Sequence, residues 1–222
     1  RPSQKHANQV LDTDVRKIIY NGSEIPEEKR QIIAARYAAK AYASIMLNPD
    51  RKFVAATILK ITDKIEEKPV LAHYNMVNDA DKSGVSFGGI FSYNLNDTYG
   101  LVSNENRIKE CKIALAGTVG QKVLGFDFVA YPKDEMEALT IARRVVFNGQ
   151  DEKMLPRKVR EEKGLEAYLL VEKCRQEMYD LLTAHKDNYA KLVDLLQRRK
   201  IIRASDIKQC FEMEDFDLIE DY

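Results

Sequence analysis

The chain has 222 residues, enough for one generous domain or two small ones with a real buried core. Its 35 lysines and arginines match its 35 aspartates and glutamates, so net charge gives no argument for nucleic acid as a partner. At 32% charged residues, and with no apolar run long enough to span a bilayer, the composition is that of a soluble globular protein. The chain starts on arginine rather than methionine and is expected to be an excerpt, so missing targeting segments say little about its parent.

The stretch to about Gly22 contains DTDVRKIIYNG, where Val15, Ile18 and Ile19 recur at helical spacing and Asn21-Gly22 forms a stop. Glu27 to Leu47 is a strong helix-forming run around which the chain is organised. Pro26 is placed where a missing N–H costs nothing, Ser23 is a candidate cap, and Glu27 and Glu28 sit at the positive end of the dipole. Asn48-Pro49-Asp50 stops it, and its alanines predict a face small enough for other backbone to pack close. Phe53 to Ile61, Val70 to Val77 and Val85 to Leu95 read as extended, the last with Gly88-Gly89 where backbones approach. The charged link Lys64 to Pro69 and the polar loop Asn78 to Gly84 separate them.

From Ser103 the period turns helical. One run passes through Ile108, Cys111, Ile113 and Leu115 to Gly117, and a second runs from Thr118 to about Leu124, ending at Gly125. After an aromatic loop, Phe126 to Pro132, a helix starts at Asp134 with Met136, Leu139, Ile141 and Val145 inward, and Asn148-Gly149 closes it. Asp151 to Gly164 is charged, carries Pro156 and reads as exposed or mobile. Leu165 to His185 is a long helix with Leu169, Leu170, Met178, Leu181 and Leu182 along one face. A short turn joins it to Asn188 to Arg198, which predicts an antiparallel pair. Ser205-Asp206 caps a short helix, Ile207 to Phe211, before an acidic tail that is either disordered or docked on a neighbour. The expected fold is mainly α, with a small β element and a C-terminal antiparallel helix pair.

Cys111, Cys174 and Cys210 form neither a metal-binding pair nor a disulfide framework, and read as reduced thiols. His6, His73 and His185 share no helical turn, so no local two-histidine ligand set exists.

The order of these elements resembles the peptidase domain of the FtsH family, membrane-anchored AAA+ zinc proteases, from about Val10 to Phe211. DVRKIIYNG looks like the end of the ATPase domain's last helix, and EEKRQIIAARYAAKAYASIML takes the place of the metal helix. GGIF falls at the family's Gly-Gly-tyrosine element, VSNENRIKECKIALAGTVGQK at a helix ending in Gly-Gly, and PKDEMEALTIARRVV at its Asn-Asp helix. The resemblance implies residues 1–25 as the end of the ATPase domain and linker, 26–211 as the peptidase-like domain, and 212–222 as an acidic tail.

In that family H-E-x-x-H holds zinc through two histidines while the glutamate activates water. In the register set here, Tyr37 takes the first histidine's position, Ala38 the glutamate's and Ala41 the second histidine's. Asp134 matches the third ligand, against the plainer reading of a first-turn aspartate beside the helix dipole. Lys40, where the family has glycine, brings positive charge towards the site; Ser44 reads as a packing serine, and Glu135 and Glu137 do not rescue the ligand set. Tyr37 is expected to fill the former metal position, packed against apolar neighbours.

The resemblance thus implies a pseudoprotease domain of a longer membrane-bound AAA+ protein, acting as a ring-assembly or substrate-handling platform. It implies no cofactor here, although the family uses zinc at this site and ATP in the upstream domain. Homo- or hetero-hexamers with FtsH-like subunits are the implied partners, with protein substrates, no nucleic acid, and membrane contact only through the rest of the parent. The implied location is the cytoplasmic face of a bacterial inner membrane, or the matrix or stroma side of an organelle membrane. The alternatives are an active zinc metalloendopeptidase with unusual ligands and an unrelated helical interaction module.

Overall fold

The computed structural model describes residues 18–19, 27–62, 74–78, 85–94, 102–126 and 132–211. In chain order they form β1 (Ile18–Ile19), α1 (Glu27–Leu47), β2 (Arg51–Thr62), β3 (Tyr74–Asn78) and β4 (Val85–Asn94). Then come α2 (Asn104–Val123), α3 (Pro132–Phe147), a 3-10 turn (Glu152–Met154), α4 (Arg157–Ala184), α5 (Lys186–Arg199), β5 (Ile201–Arg203) and α6 (Ala204–Phe211). The described residues are mainly helical with one antiparallel sheet, ordered β1-β2-β4-β3, with β5 also paired to β2.

The centre is α1. Ala34 to Ile45 is a run in which every residue is buried, because α1 is enclosed by α2, α5 and the β2–β4 face of the sheet. Its alanines permit this closeness. At Gly120 of α2 an added Cβ would lie 2.4 Å from Ala39 Cβ and 2.6 Å from the Tyr189 hydroxyl, so α1 and α2 meet on their smallest residues and leave room for the Tyr189 ring of α5. Two polar ties cross that contact: Gln121 Nε2 donates to the Ile32 carbonyl at 3.2 Å, and the Tyr189 hydroxyl of α5 to the Ala35 carbonyl at 2.8 Å. Pleat alternation splits the sheet: Ala56, Ile58, Ile90 and Ile202 join the main core, while Ala55, Ile61, Phe91 and Ile201 form a small cluster of their own.

Helix ends follow local chemistry. Ser103 caps α2 by accepting from the Asn106 N–H, and Asn48, Asn148 and Lys200 take left-handed backbone where helices stop. At α6, Asp206 reaches back to accept from the Arg203 N–H at 2.9 Å, as the acidic member of a capping box does.

The structure corrects several expectations. Ile18 and Ile19 pair with Ile61 and Lys60 as a strand, not as part of a helix. The two runs split at Gly117-Thr118 are one helix, α2, because Gly117 is a packing contact rather than a stop. Met136 is 70% exposed and Leu169 57% exposed, so neither points inward. The inward stripe of α4 is Ala167, Val171, Cys174, Met178 and Leu182, and the helix begins at Arg157, inside the segment read as loop. The C-terminal helices do not form an antiparallel pair. His185 is both the last cap of α4 and the first of α5, leaving no loop for a return, so α4 lies on α2 and α3 while α5 lies on α1. The expectations for Ser23, Pro26, Lys64 to Pro69 and the tail from Glu212 fall outside the described residues. Among the described residues no helix is long and apolar enough to cross a membrane.

Candidate functional site

One helical turn of α1 separates Arg36 from Lys40, so both project from the same face. Each is 1% exposed. A buried cation is tolerated only with a partner, since stripping water from it costs several kcal/mol or more. The partner is Asp134, fully buried in the first turn of α3, where Pro132 opens the helix without an N–H to satisfy and the dipole favours an anion. Arg36 Nη2 donates to Asp134 Oδ1 at 2.9 Å and Lys40 Nζ to the same oxygen at 2.8 Å. These are charge-assisted bonds of ordinary length, with one carboxylate oxygen serving two cations. Asp134 Oδ2 has no hydrogen-bond donor among the described residues.

A third helix makes the arrangement fit. At Gly117 of α2 an added Cβ would stand 2.9 Å from Arg36 Cγ, 3.1 Å from Lys40 Cε and 3.3 Å from Asp134 Oδ2. Glycine there gives the two long stems their path to the carboxylate.

Tyr37 lies beside this triad but meets the sheet. It is 1% exposed, and a Cβ on Gly88 of β4 would fall 2.2 Å from its Cε2 and 2.9 Å from Ile33 Cγ2. Gly88 also has φ +82°, a left-handed backbone that favours glycine, so the close approach read from Gly88-Gly89 is a ring seated on bare backbone. The Arg36 guanidinium is 5.7 Å from the Tyr37 ring centroid. Ala38 and Ala41 are fully buried core residues.

Of the positions singled out in the sequence, Asp134 is therefore met by Arg36 and Lys40, and the i, i+4 pair at the site lies one residue before Tyr37 and Ala41. Lys40 does bring positive charge to the site. Arg36 was missed, though a signal existed: two long cations at i and i+4 within an alanine face must be paired if that face is buried. Ser44 packs as read, donating to the Lys40 carbonyl at 2.8 Å. Glu135 turns away to Arg175 of α4, with bonds of 2.8 and 2.6 Å.

The donor set does not suit zinc. A catalytic zinc needs about three protein ligands and an open position. Among the described residues no group of three His, Cys, Asp or Glu side chains could hold a metal ion, and the one carboxylate here already carries two cationic side chains.

A cleft of about 620 Å³ opens beside the triad, between α1, β4, α2 and α3. Lys40, Ser44, Ser92, Ile90 and Ala114 are buried residues lining it, and Glu110, Lys133, Met136, Glu137 and Arg144 line it nearer solvent. Ile113 and Ile141 complete its apolar wall.

Two cysteines that the sequence sets far apart come together. Cys111 of α2 and Cys174 of α4 are neighbouring buried free thiols, and Cys111 Sγ donates to the Ala138 carbonyl at 3.5 Å. The neighbouring Cys174 thiol and burial push the Cys111 thiol up, while Cys111 draws the Cys174 thiol down. His185 at the α4–α5 junction stands with its ring 6.0 Å from that of Tyr42. His6 and His73 lie outside the described residues, and the Cys210 side chain is not described. No protein-family model matches this chain, and no curated protein matches it.

Proposed function

We propose that this chain is an FtsH-type peptidase domain that has given up hydrolysis, a pseudoprotease within a longer membrane-bound AAA+ protein. One observation carries the reading. Two side chains at i and i+4 of a helix converge with an aspartate from another helix, the layout in which H-E-x-x-H and a third carboxylate hold zinc, and both are cations. On this reading the register along α1 lies one residue earlier than the sequence suggested. Arg36 and Lys40 stand on the histidine positions, Tyr37 on the glutamate's, and Asp134 keeps the third ligand's place. The two side chains bring to Asp134 the two positive charges that a zinc ion would bring, so the carboxylate stays paired without metal. With tyrosine at the glutamate's position there is no carboxylate base to activate water.

The role left to such a domain is ring assembly or substrate handling, in homo- or hetero-hexamers with FtsH-like subunits on the cytoplasmic, matrix or stroma side of a membrane. The assembly part draws support from α4, whose Leu165, Tyr168 and Leu169 form an exposed apolar stripe at i, i+3 and i+4.

The test is to rebuild the site. Arg36→His, Tyr37→Glu and Lys40→His together restore the ligand spacing around Asp134, and this variant is expected to take up about one zinc per chain. Elemental mass spectrometry of the undialysed protein reads it, with the unsubstituted chain at background. The same three types set one residue later, Tyr37→His, Ala38→Glu and Ala41→His, are expected to take up none. Zinc near one per chain in the unsubstituted protein, with cleavage of a casein-like substrate, would overturn the inactive reading. A rebuilt variant that keeps its helical circular dichroism yet binds no zinc, together with a chain that stays monomeric, would leave an unrelated helical interaction module.

A further inference from the structure

The cleft beside the triad can be read from its lining alone, whatever the ancestry of the chain. Its volume, about 620 Å³, is that of a small-molecule site, and its walls are apolar at Ile90, Ala114 and Ile141. Lys40 reaches it from the buried side, and Asp134, its acidic partner, is shared with Arg36. Ser92 also lines it, and its hydroxyl makes no side-chain hydrogen bond among the described residues. The solvent-facing charges around the mouth, Glu110 and Glu137 against Lys133 and Arg144, balance. The buried side thus carries Lys40, whose ammonium is held by Asp134, and the Ser92 hydroxyl, and the walls are hydrocarbon.

An extended peptide is a poor occupant. Both edges of β4 are already hydrogen-bonded where it lines the cleft: Ile90 pairs with Ala56 and Val77, and Ser92 with Phe53 and Asn75. No strand edge is offered there for a peptide backbone to extend.

We propose that this cleft binds a small monocarboxylate with an apolar body, its carboxylate against Lys40 and Ser92 and its hydrocarbon along Ile90, Ala114 and Ile141. The discriminating interaction is the charge. A carboxylate reaching a desolvated ammonium gains a bond that an alcohol of equal length does not, and the rest of the molecule is recognised by area alone.

Decanoate and decan-1-ol, titrated into the full chain by isothermal calorimetry, test this without any substitution. The expected result is saturable one-to-one binding of decanoate, at least about tenfold tighter than the alcohol. Lys40→Met leaves Arg36 and Asp134 as a neutral pair and is expected to bring acid and alcohol to the same affinity. Ile113→Trp, which fills the cleft from a half-buried wall position, is expected to abolish both. Equal binding of acid and alcohol by the unsubstituted chain, absence of saturable decanoate binding, or decanoate binding that survives Ile113→Trp would each overturn the proposal.

Discussion

Asp134 and Glu135 are neighbours in the first turn of α3, and each holds an arginine, yet they face opposite electrostatic conditions. Asp134 is sealed among α1, α2 and α3, with its side chain and those of Arg36 and Lys40 no more than 2% exposed. Glu135 meets Arg175 with better geometry, a two-bonded fork, but its side chain is 29% exposed and that of Arg175 23%. Distance favours the Glu135 pair, whereas burial makes the Asp134 triad the consequential one. In water-accessible ground an ion pair gains little, because each partner alone is well solvated. In the interior the paired state gains little over a hydrocarbon core, but a lone ion left there is ruinous. The triad is therefore a place where single changes and concerted changes should have opposite outcomes.

Removing one partner gives the largest expected effect. Asp134→Leu strands two buried cations and should destabilise by about 3–5 kcal/mol, read as a fall in the urea midpoint with unchanged slope. Replacing all three together, Arg36→Met, Lys40→Met and Asp134→Leu, should recover most or all of that loss, because no uncompensated charge is left. A triple variant as unstable as Asp134→Leu alone would show that the pairing is not what the single change disrupts, and the contrast with Glu135 would collapse.

Gly117→Ala probes the same ground from α2. The added methyl gains about 1 kcal/mol of helix propensity, yet it meets Arg36 Cγ at 2.9 Å and Lys40 Cε at 3.1 Å. Those stems are pinned by their bonds to Asp134 and cannot swing away, so overpacking of about 1–3 kcal/mol should prevail. Lys40→Ala removes one of the two obstructing stems, and in that background Gly117→Ala should cost measurably less. Additive effects in that double-mutant cycle would mean the stems can move.

What was legible in the sequence divides along the same line. The bounds of α1 could be read because an alanine-rich run bracketed by Pro26 and Asn48-Pro49 is a local signal, and Gly88-Gly89 announced a close approach. The partner that makes Arg36 and Lys40 meaningful lies 98 and 94 residues along the chain, where periodicity carries no information. Without that contact the sequence alone places Tyr37, rather than Arg36, on the turn that faces Asp134. The short strands failed for another reason. Ile18–Ile19 and Ile201–Arg203 are too brief to show a period of two, and β5 exists because Lys200 turns left-handed and delivers the next residues to β2. The separation of α4 from α5 turned on His185 serving both helices at once, a detail below the resolution of a loop-length argument.

Tyr189 extends the buried half of the comparison to a neutral group. Its hydroxyl is the 2.8 Å tie from α5 to the Ala35 carbonyl, and burial raises its pKa above the ordinary tyrosine value. Tyr189→Phe should cost about 1 kcal/mol near pH 7. The pH dependence has a definite sign: a folded-state pKa above the unfolded value near 10 means the neutral hydroxyl is favoured in the native protein. That contribution is complete below about pH 10 and is lost as pH rises from there towards the folded-state pKa. The Phe variant should therefore lose stability less steeply than the parent between about pH 10 and 11. Parallel slopes would mean that Tyr189 ionises as freely in the folded chain as in the unfolded one.

The smallest effect belongs to the exposed pair and completes the contrast. Glu135 holds the Arg175 guanidinium still more firmly protonated, through the hydrogen bonds between them, and Glu172 adds a third contact at 3.3 Å. Even so, Arg175→Met should cost no more than about 1 kcal/mol. That cost should shrink between low and about 1 M salt, where the screening length falls to about 3 Å. The cost of Asp134→Leu should change much less over the same range, since Asp134, Arg36 and Lys40 have side chains no more than 2% exposed. If both losses fell together with salt, the interior of α1–α2–α3 would have to be wetter than its packing indicates. If neither did, Arg175 would be acting through the packing of its stem against α3 rather than through its charge, and Arg175→Lys would then be nearly silent.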